Sequence, residues 1–134
     1  GSLVALRAGG GFGDGVGNAR SVSAFYAAVL DGRAGISRRS VDTFRARQCS
    51  GQDPILGAPS SFGLGWQCNV DLPTGGRRFG PSDAVFGHGG AGGQLGFGDA
   101  DNDIAVGFVR SHLSHASTLP TQLVEATYAA LGLS

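Results

Sequence analysis

The chain has 134 residues, within the range of roughly 100–200 that one domain usually takes, and ten arginines balance ten acidic residues to a net charge of zero. That balance excludes the basic footprint of a nucleic-acid binder and any acidic tail, and no run reaches the roughly 18 apolar residues of a membrane span. No charged start followed by an apolar block reads as a signal peptide, and an opening Gly1-Ser2 without methionine leads us to expect that residues 1–134 are one incomplete domain with sequence missing upstream.

The opening GSLVALRAGGGFGDGVGN ends in a glycine-rich loop, because glycine is costly inside helices and strands. Asn18 suits a helix N-cap, and ARSVSAFYAAVLDG then places Val22, Phe25, Tyr26, Val29 and Leu30 on one helical face before Gly32 ends it. Ser37 caps a second predicted helix, RRSVDTFRARQ, with a narrow apolar stripe of Val41 and Phe44 and an arginine-rich opposite face. A loop bearing Pro54 and Pro59 follows. The period then changes to two: Phe62, Leu64, Trp66, Cys68 and Val70 alternate with small or polar residues, as in a strand with one buried face.

DLPTGGRRFGPSD reads as a connection turning at Gly75-Gly76. AVF, QLGFGD and IAVGFVRS read as further strands, the last two joined as a hairpin through DADND. LPTQLVEATYAALGLS closes as a helix with Pro120 in its first turn, Leu123, Val124, Ala126, Tyr128 and Leu131 as its apolar residues, and Gly132 near its end. Two helices, three or so antiparallel strands and a last helix make an α+β fold, an antiparallel β-sheet with helices packed on its face. Cys49 and Cys68 have no metal-like spacing and leave free thiols and a disulfide both open.

Three motif matches fail on context. Gly87, Gly89 and Gly92 meet the spacing of a dinucleotide fingerprint, but a strand pattern follows where the pyrophosphate needs a helix N-terminus. Asp99, Asp101 and Asp103 imitate a calcium loop, yet Ile104 stands at the position that needs glycine and Arg110 at the one that needs glutamate. His112 and His115 have no nearby cysteine or glutamate with which to complete a zinc site alongside His88.

The stretch FGHGGAGGQLGF, residues 86–97, carries the remaining candidate. One reading of His88 is a packed strand-end histidine, with the glycines as bulges or points of close backbone approach. The other is a ligand edge. Glycines there leave N–H groups and empty space along a strand, as an acyl substrate and its oxyanion require, beside an imidazole.

NARSVSAFYAAVL, FGLGWQC, FGHGGAGGQLGF and DADNDIAVGFVRSHL, in this order, resemble the serine β-lactamase-like hydrolases, which include class C β-lactamases, penicillin-binding proteins and related esterases. The resemblance covers nearly the whole chain. It implies that His88-Gly89-Gly90 is the third catalytic motif, in the His-x-Gly form, with His88 lining the site as a donor to substrate. It further implies that Gly90 shapes that wall and that the backbone N–H of Ala91 is one arm of an oxyanion hole.

No metal or organic cofactor is implied, and the partner is a small acyl substrate, whether ester, amide or lactam. The family's Ser-x-x-Lys nucleophile motif cannot occur in a chain whose ten basic residues are all arginine. Nor does Tyr-x-Asn occur, since Tyr26 and Tyr128 are each followed by two alanines. The resemblance is therefore to the C-terminal part of such a hydrolase, inactive alone, or to a binding module that keeps the fold without the chemistry. In that fold N-terminal strands flank the last strand, so an unpaired edge at IAVGFVRS predicts a homo-oligomer.

Overall fold

The computed structural model describes residues 16–112, 114 and 118–133. Most of the opening glycine-rich segment and His115 lie outside the described residues. Among those described, the order is α1 (Ala19–Leu30), α2 (Arg38–Arg45), β1 (Cys49–Asp53), β2 (Ala58–Phe62), β3 (Gln67–Cys68), β4 (Val85–Gly89), β5 (Leu95–Asp99), β6 (Ile104–Phe108) and α3 (Leu119–Ala130). The strands form one sheet in the order β1-β2-β3-β4-β5-β6, every neighbour antiparallel. The α+β class predicted from the sequence is the one observed.

α1 starts where its cap chemistry says it should. Asn18 Oδ1 accepts the Ser21 N–H at 2.9 Å and Ser21 Oγ accepts the Asn18 N–H at 3.0 Å, a reciprocal capping box. Gly32, at φ 74°, follows its last turn. Tyr26, Val29 and Leu30 are buried against Phe86 and Val41, with Val22 packed alongside. Phe25, expected on the same face, is half exposed and meets Tyr26 edge-on at 5.2 Å. The stripe defined by positions 22, 26, 29 and 30 is narrow enough to leave residue 25 on its flank.

Successive residues of β4 point to opposite sides, so Phe86 joins α1 and α2 while Val85 joins the other cluster, Phe79, Leu95, Phe97, Val124 and Tyr128, under α3. Helices thus cover both faces of the sheet. α1 approaches it closely enough that a Cβ on Gly107 would stand 2.7 Å from the Ser23 nitrogen, and one on Gly96 2.7 Å from the Tyr26 ring.

The region predicted as a loop followed by one long strand is instead a hairpin and a second turn. β1 and β2 pair from Cys49↔Phe62 to Asp53↔Ala58, and Asp53 Oδ1 accepts the N–H groups of Ile55 and Leu56 to close the connection. Polar β1 has no apolar alternation, since four of its five residues are exposed, and its pairing is therefore invisible to a periodicity argument. The alternation read across Phe62, Leu64, Trp66 and Cys68 spans a reversal: the Gly63 N–H bonds the Trp66 carbonyl at 2.9 Å, Phe62 pairs with Gln67, and Leu64 is exposed.

Gly75 and Gly76, at φ 86° and 72°, form the expected turn, closed by an isolated bridge from Asp71 to Arg77. Buried Asn69 then pins the return. Its Nδ2 donates to the carbonyls of Gly80 at 2.7 Å and Ser82 at 2.9 Å, and its Oδ1 accepts the Phe79 N–H at 3.1 Å. Cys49 is exposed, Cys68 is buried, and both are free.

Candidate active site

His88 sits on β4 opposite Gly96 of β5, one residue before the strand ends, with its side chain exposed and its ring 6.4 Å from that of Phe62. It lies two residues beyond Phe86 and so on the α1 face. Gly90 opens the connection to β5. Its N–H bonds the Gln94 carbonyl at 2.7 Å and its carbonyl accepts the Gly93 N–H at 3.0 Å. Ala91 is exposed at the tip of this turn, and its N–H has no acceptor among the described residues. The three residues singled out from the sequence therefore stand together at one end of β4.

The histidine's environment determines which nitrogen is available. Nδ1 lies 2.6 Å from the Gly89 carbonyl oxygen. A carbonyl only accepts, so Nδ1 carries the proton and Nε2 presents a lone pair in the neutral ring. Nε2 donates to a substrate oxygen only when the ring is protonated.

Among the described residues, the β3 side of β4 has no strand neighbour beyond Gly87, because β3 is two residues long and pairs only with Phe86 and Gly87. There the Gly89 N–H is met by a side chain instead, Gln67 Oε1 at 3.0 Å, and the same oxygen accepts from Arg78 Nη1 at 3.3 Å. Burial pushes the Arg78 guanidinium below its usual range, and its Nε is buried without a partner among the described residues. Gln67 and Arg78 escaped the reading of the sequence. Gln67 sits on the polar side of the alternation, and no spacing relates it to Gly89, 22 residues away.

Two kinds of glycine separate in residues 86–97. Gly87 and Gly96 are bare because the protein itself fills the space: a Cβ on Gly87 would lie 2.7 Å from the Phe97 Cα, and Gly96 lies under α1. Gly89 has only ordinary contacts, 3.7 Å to Gln67 Oε1 and 3.9 Å to Arg78 Nη1. Part of the bareness thus serves packing, and the rest lies at the exposed end of β4.

The other sequence candidates do not join this site. Asp99 is wholly buried and turned inward, while Asp101 and Asp103 lie in the β5–β6 turn. His112 is exposed after β6, and no group of three His, Cys, Asp or Glu side chains among the described residues is placed to hold a metal. No described helix is long and apolar enough to cross a membrane. A cleft of about 380 Å³ between the β1–β2 hairpin and the segment after β3 is lined by Arg47, Asn69, Asp71, Arg77 and Asp83 and contains neither His88 nor Ala91.

An antiparallel sheet sandwiched by helices is the architecture of the β-lactamase and transpeptidase-like folds. The Beta-lactamase family model matches residues 2–129, and the chain belongs to that family. Its structure is similar to that of a penicillin-binding protein homolog from Caulobacter crescentus, with a TM-score of 0.74 and 26% identity over 84% of this chain. It is also similar to EstA from Arthrobacter nitroguajacolicus Rue61a, with a TM-score of 0.69 and 25% identity over 86% of the chain. A family VIII carboxylesterase, 22% identical over 84% of the chain with a TM-score of 0.71, shares the fold. The chain spans about a third of the length of these structures, 32%, 32% and 31% in that order. No curated protein matches the sequence.

Proposed function

We propose that this chain supplies one wall of a serine hydrolase active site, acting on a small ester, amide or lactam, and that it does not turn over substrate alone. The observation that carries the reading is the end of β4, where exposed His88 and exposed Ala91, whose N–H has no acceptor among the described residues, stand on a hairpin in a fold of the β-lactamase family. In a polypeptide that also carries Ser-x-x-Lys, the serine oxygen attacks the substrate carbonyl and its proton passes to the lysine. The tetrahedral oxyanion is then held by the Ala91 N–H. His88 contacts the bound acyl group, and Gly90 lets the backbone approach it.

The test is incubation of the chain with a chromogenic β-lactam and with p-nitrophenyl esters, followed by intact-mass measurement. The chain alone is expected to release no chromophore above background and to gain no acyl adduct; an adduct on a serine of this chain would overturn the proposal. In a longer polypeptide bearing the nucleophile, His88→Ala is expected to lower kcat/KM by about 3–10-fold, the scale of one lost net hydrogen bond to the bound acyl group.

A second reading, a self-associating module, is favoured by a different observation. Among the described residues β6 has a strand neighbour, β5, on one side only. An open edge of that kind pairs with a second copy.

A further inference from the structure

We propose that Gln67 is a positioning residue that fixes the tautomer of His88, with Arg78 setting the orientation of the Gln67 amide. A glutamine amide offers an acceptor at one end and donors at the other. Both groups that face Gln67 here, the Gly89 N–H at 3.0 Å and Arg78 Nη1 at 3.3 Å, can only donate. The oxygen must therefore point at them, since a flipped amide would set its NH₂ against two donors. A half-buried guanidinium with a neutral amide as its hydrogen-bonding partner is costly for stability, and its consequence at this position is an amide with one permitted orientation.

That orientation matters because of where Gly89 lies. β3 has ended, so among the described residues no strand holds the β3 side of β4 here. Gln67 takes the place of the missing strand. With its N–H held, Gly89 keeps its carbonyl where the His88 ring reaches it, at 2.6 Å, and the carbonyl forces the ring proton onto Nδ1. The neutral side chain then presents Nε2 as a proton acceptor. Arg78, Gln67, Gly89 and His88 form a continuous relay from the interior to the exposed strand end.

The relay stands on hydrogen-bond geometry, while the idea that Nε2 faces an acyl substrate rests on the function proposed above. Long-range ¹H–¹⁵N correlation spectra of the neutral His88 ring separate the two because they require no turnover. In the unaltered chain Nδ1 is expected to be protonated and Nε2 bare.

In Gln67→Ala the ratio of Nδ1–H to Nε2–H forms is expected to fall by a factor of about 3–10, the range for loss of one net hydrogen bond. Gln67→Glu, which keeps an acceptor oxygen facing both donors, is expected to retain the Nδ1–H form. Gln67→Met, of similar volume and without an acceptor, replaces the alanine variant if that one does not fold. A bare Nδ1 in the unaltered chain, or an unchanged ratio in the acceptor-less variant, would overturn the relay. A fixed tautomer together with no effect of His88→Ala on a full-length hydrolase would overturn the functional reading and leave the relay standing.

Discussion

Tyr128 of α3 donates its hydroxyl to Asp99 Oδ2 across 2.6 Å, joining the last helix to the end of β5 in the interior of the sheet's α3 face. Asn102 Nδ2 reaches the same oxygen at 2.8 Å, and the Asp101 N–H reaches Oδ1 at 3.1 Å. The aspartate that imitates the first ligand of a calcium loop is thus a buried latch for the β5–β6 turn and the helix together.

Tyr128→Phe removes one donor from a fully buried carboxylate and is expected to destabilise the fold by about 1–3 kcal/mol, read as a lower urea midpoint at neutral pH.

The same latch predicts a pH dependence. Burial pushes the Asp99 carboxyl upward, but donation from Tyr128, Asn102 and Ser82 and from the Asp101 N–H outweighs it and leaves the group below the usual carboxylate range. A depressed folded value contributes stability that is present above the unfolded value of about 3.9 and is lost as pH falls through the folded one. Tyr128 is displaced the other way, by burial first and then by Asp99. Its contribution is complete below the unfolded value of about 10 and is lost as pH rises beyond it. Unfolding free energies across pH should fall at both ends, and the Tyr128→Phe variant should lose the alkaline limb attributable to this side chain.

Gly107→Ala is expected to destabilise by about 1–3 kcal/mol, because the new methyl meets α1 backbone that cannot rotate away. Gly89→Ala, with its nearest atoms at 3.7 and 3.9 Å, should stay within about 0.5 kcal/mol of the parent. Equal losses in the two variants by chemical denaturation would refute the division between packing glycines and those at the exposed strand end.

Asn69→Ala strips three hydrogen bonds from the segment that carries Phe79 into the core. A loss of about 2–3 kcal/mol is expected, since the two carbonyls and the N–H lose their buried partner. Hydrogen exchange should show the opening concentrated at residues 79–82.

If β6 pairs with a second copy, light scattering should give a mass that rises with concentration toward the dimer. Val109→Lys, which sets a charge on an exposed position just past β6, should shift the chain toward monomer. A constant monomer mass for the parent across the accessible concentrations would count against that reading.

Local chemistry made much of this molecule legible in its sequence. The Asn18 cap, the apolar stripe of α1 apart from Phe25, the Gly75-Gly76 turn, the β5–β6 hairpin and Pro120 at the head of α3 each depend on residues close together in the chain, and each is observed. The order of several segments carried the family resemblance, and the absence of lysine carried the missing Ser-x-x-Lys. His88, Gly90 and Ala91 were named from one run of twelve residues, 86–97, and lie together for the same reason.

Tertiary structure decided what depends on distant partners. β1 is a strand because β2 lies beside it, not because of its own pattern, and Leu64 faces outward because the chain reverses at residues 63–66. Gly96 and Gly107 are glycine because α1 presses on them, and Asp99 is buried because Tyr128 comes back to meet it. Gln67 reaches Gly89 only because β3 stops after two residues and leaves an N–H unpaired. Periodicity and capping act within a turn or two of chain, whereas a buried hydrogen bond or a close backbone approach exists only once the fold has brought both sides together.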